Sequence, residues 1–173
     1  MAVQISSVME SITELGIIHR DIKSSNVLLF LLSRDRVCAK LGDFGLAKTR
    51  VENTYISSRT AKGTPPYMAP ELYEGNYSSA SDVYAFTVML NELLIEEAPF
   101  SALSQPEIMM RVVTHRGRPN AYTAHTSDIV GCHLMRLISS GWNQDPALRV
   151  SFQDIATQLN QLFEASVDIA KNG

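Results

Sequence analysis

The stretch 79–97, SASDVYAFTVMLNELLIEE, leaves a fold the least freedom of any part of this chain. Val83, Tyr84, Phe86, Val88, Met89, Leu90, Leu93, Leu94 and Ile95 cover nearly the whole circumference of a helix. A helix with one apolar face hides that face, but a helix apolar all round must be surrounded. The expectation is a helix through the centre of the domain with the rest wrapped about it. At 173 residues the chain has one domain's length and enough surface to bury such a core.

The surrounding pattern is mostly helical. Ile5, Val8, Met9, Ile12 and Leu15 recur at spacings of three and four and predict a first helix, ended by Gly16 in the left-handed conformation. Amphipathic stretches near 105–115, 128–140 and 151–164 predict three more. In the last, Ser151 and Asp154 have capping-box spacing, and Phe152, Ile155, Leu159, Leu162 and Phe163 share one face. The continuous apolar run 27–32 predicts a buried strand, turned by SRDR at 33–36 into a hairpin with 37–41. Periodicity then disappears over 42–63, a polar, Ser- and Thr-rich stretch of a length that in compact domains is usually functional or mobile. The fold class expected is mainly α, one domain over 1–173 with a small hairpin near its start.

Composition excludes several functions. A net charge of -3 gives no electrostatic case for nucleic acid or an anionic membrane surface. Cys38 and Cys132 lack CxxC spacing and read as two free thiols of a reducing compartment. His115, His125 and His133, with Cys132, lack zinc-ligand spacing. The N-terminal MAVQISSVMESI has no signal-peptide pattern, and no apolar run approaches a membrane span. A soluble cytoplasmic or nuclear protein is the expectation.

The chemistry concentrates in HRDIKSSN, at 19–26, which sets Asp21, Lys23 and Asn26 on a turn before the hairpin. Phosphoryl transfer needs such a set: a carboxylate to take the proton of an attacking hydroxyl, a cation for phosphate charge, and oxygen ligands for Mg²⁺. DFG at 43–45 ends the hairpin and would bring the Asp43 carboxylate back beside Asn26. One carboxylate and one amide oxygen can suffice for magnesium, which keeps waters of its own. A lysine two residues from Asp21 favours its ionised state.

HRDIKSSN, DFG, APE at 69–71 and SDVYAF at 81–86 together resemble the larger, C-terminal lobe of a eukaryotic protein kinase, and the likeness extends to GWNQDPALRVSF. Lys23, GTPPYMAPE at 63–71 and the W-x-x-D-P ending resemble the tyrosine-kinase-like group, which mostly phosphorylates Ser and Thr. The resemblance implies a catalytic loop at 19–26, an activation segment at 43–71, ATP and Mg²⁺ as cofactors, and a protein substrate. It casts Asp21 as the catalytic acid and Lys23 as its catalytic partner, Asn26 and Asp43 as metal and cofactor ligands, and Leu28 as lying beneath adenine. Thr64 would lie near Asp21 and Lys23 and help select a Ser or Thr acceptor. Arg20 would pair with a phosphate on the activation segment, whose candidates are Thr54, Ser57, Ser58 and Thr60, Ser58 and Thr60 preferred. His19 and Phe44 would stack in an apolar spine. Asp82 would hold the catalytic-loop backbone, and Glu71 would pair with Arg149 in a structural role.

The same pattern calls for a glycine-rich loop, a lysine on a preceding strand and a helix glutamate. No G-x-G-x-x-G occurs, and residues 1–18 contain no lysine. The expectation is that the smaller lobe is absent, that these residues alone transfer phosphate negligibly, and that an apolar patch around His19, Leu28 and Phe44 is left for a partner, an intact kinase or the missing lobe. The alternatives are a non-catalytic binding or regulatory module and a small-molecule phosphotransferase. Arg20, the long segment and APE argue against the latter.

Overall fold

Every residue over 81–91 is buried, as a helix apolar on all sides requires. The computed structural model describes residues 1–34, 36–49, 56–57 and 63–172, with the backbone alone for 56–57 and 168–172. In chain order its elements are α1 (Ala2–Glu14), β1 (Ile17–Ile18), β2 (Val27–Ser33), β3 (Arg36–Leu41), β4 (Lys48–Thr49), β5 (Ile56–Ser57), β6 (Asn76–Tyr77), α2 (Ser79–Ile95), α3 (Gln105–Met109), α4 (Ile129–Gly141) and α5 (Phe152–Asn172). Three separate antiparallel pairs, β1 with β4, β2 with β3 and β5 with β6, are the sheet structure of an otherwise helical domain. The mainly α class read from the sequence is the one observed.

Helix α2 is the axis. Burial stops at Asn91, and Leu93 is back at the surface, so the apolar circumference outlasts the core by one turn. Thr87 and Asn91 find partners for their polar groups inside the core, whereas the buried Tyr84 hydroxyl has none among the described residues. Thr87 turns its hydroxyl back to Val83 O at 2.8 Å. The Asn91 amide donates to Asn120 O at 2.8 Å and accepts from Tyr122 N–H at 2.7 Å, pinning the chain that passes the helix end. Phe86 meets Phe152 of α5 edge to face, with centroids 5.7 Å apart. Close approach of α4 is made possible by Gly141, where a Cβ would lie 2.2 Å from Thr87 Cγ2.

Helix α1 packs on α5 and β3 and ends as expected, with Gly16 at φ 71° and its N–H on Thr13 O. Its buried arc is narrower than the sequence stripe: Ile5, Ser6 and Met9 are covered, whereas Val8 and Leu15 are exposed. At 100° per residue those two lie together on one flank of Ile5, and the neighbours cover the other flank. Helix α5 opens with the expected cap, Asp154 N–H on Ser151 Oγ at 3.1 Å, and buries Phe152, Ile155 and Leu159. Phe163, expected on the same face, is exposed.

The hairpin forms in the expected place, with Val27 opposite Leu41 and Leu29 opposite Ala39, and its register shifts between Leu31 and Ser33 so that Ser33 faces Arg36. The buried-strand reading of 27–32 is corrected. Leu28, Leu29, Phe30, Leu31 and Leu32 are 44–74% exposed. The ribbon has only two strands, and α1 reaches the β3 side alone. There the Gln4 side chain imitates a strand partner, donating to Val37 O at 3.2 Å and accepting from Ala39 N–H at 2.7 Å. Ala39 and Leu41 are buried as a result, while β2 stands on the uncovered side.

Candidate active site

The catalytic candidates sit between β1 and β2, and a buried acid of α2 shapes that loop. Asp82 Oδ2 accepts from the His19 N–H at 2.6 Å and Oδ1 from the Arg20 N–H at 2.9 Å. Burial pushes the Asp82 carboxyl up to about 7, against these two donors and the Arg20 charge, which favour the ionised form. Arg20 itself takes φ 69°, uncommon for a non-glycine residue, and so turns the chain inward. The next residue, Asp21, points into the site.

Three side chains close around Asp21. Lys23 Nζ donates to Asp21 Oδ2 at 2.7 Å and to Thr64 Oγ1 at 2.8 Å, and Thr64 Oγ1 donates to Asp21 Oδ1 at 2.7 Å. Asn26 Nδ2 donates to Asp21 O at 2.8 Å and to Oδ2 at 3.3 Å, drawing the end of the loop back to its start. Burial raises the Asp21 carboxyl, but the hydrogen bonds from Lys23 and Thr64 outweigh it and hold the group below its ordinary value. Asp21 is an ionised acid at neutral pH. Thr64 follows Gly63, whose φ of 130° and tight approach to Arg20 O disfavour a side chain there.

The hairpin returns the chain beside this loop. Gly42 N–H donates to Asn26 O at 2.8 Å, and Gly42 O lies 3.1 Å from His19 Nε2. Asp43 follows in the left-handed region, φ 57° and ψ 68°, its Oδ1 accepting from the Gly45 N–H at 3.2 Å. Burial lowers the His19 value against the opposing pull of Gly42 O, Asp21 and Asp43, so the ring is neutral with both carboxylates near it. Phe44 meets His19 with ring centroids 4.7 Å apart, edge to face rather than stacked. The expected apolar patch is corrected at His19, which is fully buried beneath Phe44, while Phe44 and Leu28 are exposed.

Asn26 and Asp43 carry the donor chemistry of a magnesium site. The Asn26 nitrogen is committed to Asp21, and its oxygen is the atom suited to a hard cation. Among the described residues no group of three His, Cys, Asp or Glu side chains could hold a metal by itself. A site of one carboxylate and one amide, completed by water and phosphate oxygens, remains compatible with that.

Arg149 grips Glu71 at 2.6 and 2.8 Å, tying the turn that holds Glu71 to the chain before α5. Arg20 Nε donates to Leu46 O at 2.5 Å, and its guanidinium lies 5.1 Å from the Tyr77 ring centroid. Its expected phosphate partners Thr54, Ser58 and Thr60 lie outside the described residues, as does the Ser57 side chain. Sequence reasoning missed Ser24, Tyr67 and Glu92, which hydrogen-bond to one another beside Lys23. An acid near the end of an otherwise apolar helix was the available signal.

Comparison with known proteins agrees with this geometry. Residues 1–159 match the family described as protein tyrosine and serine/threonine kinase. A probable serine/threonine-protein kinase of Dictyostelium discoideum is 37% identical over 94% of this chain and 17% of its own length. The serine/threonine-protein kinase STY17 of Arabidopsis thaliana is 34% identical over 94% of this chain and 27% of its own. The dual specificity protein kinase shkD of Dictyostelium discoideum is 33% identical over 88% and 20%. The chain thus spans about a quarter or less of the length of these relatives. On the fold, the motifs and these matches, the chain belongs to the protein kinase family.

Proposed function

We propose that the chain is the catalytic lobe of a serine/threonine protein kinase, moving the γ-phosphate of ATP to a hydroxyl of a protein substrate. The supporting observation is the closed set Asp21–Lys23–Thr64, with each pair at 2.7–2.8 Å. Asp21, ionised, accepts the proton of the incoming hydroxyl as that oxygen bonds to phosphorus and the bridging P–O bond of ATP breaks, releasing ADP. Lys23 places its charge beside both the acid and the transferring group. Thr64 brings the activation segment against the acid, where a Ser or Thr hydroxyl fits. Asn26 and Asp43 would hold Mg²⁺, and Mg²⁺-ATP when bound supplies the phosphoryl group and neutralises its charge. Leu28, half exposed at the start of β2, supplies apolar surface for the base. The compartment follows as cytoplasmic or nuclear.

Transfer of radiolabelled γ-phosphate to Ser/Thr peptides by the protein at its natural length tests this reading. Asp21→Asn should lower kcat about 10²–10⁴-fold, the range of general-base catalysis. Full activity of that variant would overturn the assignment. The 173 residues alone should bind nucleotide weakly, because the surface above Asp43 is open to water, which weakens every charge contact there. Calorimetry with Mg²⁺-ATP checks this, and micromolar affinity would refute it. A second reading, a non-catalytic module that docks a partner such as an intact kinase, is favoured by the exposed run of β2. It requires that Asp21→Asn change nothing measurable.

A further inference from the structure

Past the end of α2 the chain turns twice in quick succession, with Glu96 and Phe100 both in the left-handed region at φ 56°. The loop so formed and residues 117–120 line a cleft of about 240 Å³ that shares no residue with the site around Asp21. Its inner surface is apolar, from Ile95, Pro99, Phe100 and Pro119. The volume falls below that of pockets that enclose cofactor-sized molecules and suits one or two side chains. Its charged groups differ in what they hold. Both Glu97 oxygens accept from the Asn120 amide at 3.1 Å. Arg118 commits its donors to Trp142 O at 2.7 Å, Gly117 O at 2.8 Å and Gln144 Oε1 at 3.0 Å. Arg111 has no hydrogen-bonding or ion-pair partner for its side chain among the described residues. Yet Arg111 has a built seat. A Cβ at Gly117 would lie 2.6 Å from Arg111 Nε and 2.7 Å from Cδ, so the arginine runs directly over bare backbone. Met110–Thr114 continues α3 as a π-helical turn, and the Gly117 N–H donates to Arg111 O at 2.8 Å, fixing the two residues against each other.

We propose that this cleft docks an acidic segment of the protein substrate, an apolar side chain entering among Ile95, Pro99 and Pro119 while a neighbouring carboxylate pairs with Arg111. That the occupant is a substrate rests on the kinase reading above. Charge decides its class: the lining sets two guanidinium groups against one carboxylate that is already bonded, so an anionic group is attracted and a cationic one repelled. The arginine fork fits a carboxylate with two parallel bonds, and the apolar surface beside it keeps water from one side of the pair. The position suits a substrate. Ile95 lies one turn beyond Glu92, roughly 4.5 Å along α2, and Glu92 accepts from Ser24 next to Lys23. The cleft thus begins one helical turn from a residue that touches the catalytic loop, within reach of an extended peptide seated there.

The test uses the protein at its natural length and fluorescein-labelled peptides carrying Leu-Glu-Glu, Leu-Gln-Gln or Ser-Glu-Glu between Gly-Ser flanks, with binding read by fluorescence anisotropy. The Leu-Glu-Glu peptide should bind, and the other two should bind about 10–100-fold more weakly, for want of the charged hydrogen bonds or of the buried leucine. Arg111→Met should weaken the Leu-Glu-Glu peptide by a similar factor and leave the Leu-Gln-Gln peptide unaffected. Gly117→Ala, which keeps the charge but disturbs its seat, should weaken it in the same direction. Arg116→Met, at an exposed arginine outside the cleft, should change nothing. Joined to either end of a Ser/Thr substrate peptide, Leu-Glu-Glu should lower KM with kcat unchanged, and Arg111→Met should abolish that gain. Absence of binding by the Leu-Glu-Glu peptide, equal binding of its Gln form, or equal losses in Arg111→Met and Arg116→Met would each overturn the site. Phosphate transfer with a KM blind to the acidic segment would overturn the substrate role. If the wild-type protein transfers no phosphate, the kinase reading fails by itself, and the anisotropy measurements still decide the cleft.

Discussion

Arg149→Met should cost this domain about 3–5 kcal/mol of stability, the range found when one partner of a buried ion pair is removed. The Arg149 side chain is 0% exposed and that of Glu71 11%. The guanidinium donates to both Glu71 oxygens, to Ala80 O at 2.8 Å and, through Nε, to Asn143 O at 2.8 Å. Methionine fills much of the volume but strands the Glu71 carboxylate, leaving it the Ser81 hydroxyl at 2.9 Å. Two partly buried carbonyls, Ala80 O and Asn143 O, also lose this donor, each bond worth about 1 kcal/mol. Glu71→Gln is milder, at about 1.5–3 kcal/mol, because the amide keeps one acceptor for the charge. The informative construction is the pair: with Glu71→Gln added to Arg149→Met, no charge is left buried without a partner. The double variant should recover part of the loss, with a coupling of about 0.5–3 kcal/mol. Urea unfolding followed by the fluorescence of Trp142, the chain's single tryptophan and nearly buried, reads all three. A loss under about 1 kcal/mol for Arg149→Met, or strict additivity, would refute the claim that this pair anchors the turn that holds Glu71.

Other variants test other parts of the argument. Gly141→Ala would place a methyl group 2.2 Å from Thr87 Cγ2 and should cost about 1–3 kcal/mol in urea unfolding, with part of it regained in Gly141→Ala/Thr87→Ser. Leu31→Lys, at a position 74% exposed, should change stability by no more than about 0.5 kcal/mol while lowering light scattering at high concentration; a large destabilisation would mean that β2 is covered after all. Asp82 has a folded value raised to about 7 against an ordinary 3.8, so the folded state holds its proton more tightly, and stability from this group declines as pH rises from about 4 to 7. Wild-type protein should therefore lose stability relative to Asp82→Asn across that window, and parallel curves would dismiss the effect.

The sequence carried the central helix, the place of the hairpin and the order of the catalytic groups because each rests on short-range information. Apolar residues around a helix, a turn between two runs, and a motif over 19–26 are complete within one stretch. What it could not carry depends on partners distant in the chain. The run 27–32 is as apolar as a strand buried on both faces, and nothing within it reveals that α1 covers β3 alone. The stripe on α1 includes Val8 and Leu15 by spacing, and only the placement of α5 and β3 decides which flank is covered. Nothing in the sequence around Gly141 reveals that Thr87, on another helix, occupies the space a side chain there would need.

The same distinction explains why the acids of α2 escaped a motif reading to different degrees. Asp82 was read as an anchor through its resemblance, since SDVYAF marks it, whereas Glu92, next to Asn91 in NELLI, has only its place near the helix end to mark it. Both act across the chain, Asp82 on His19 and Arg20, Glu92 on Ser24 and Tyr67. A helix buried over 81–91 is the most immobile reference the domain has, because moving it would disturb packing on every side. Loops that must keep Asp21, Lys23 and Thr64 within hydrogen-bonding distance gain precision by hanging from that reference rather than from one another. The apolar circumference of α2, read at first as a constraint on folding, is in this sense also what makes the site rigid.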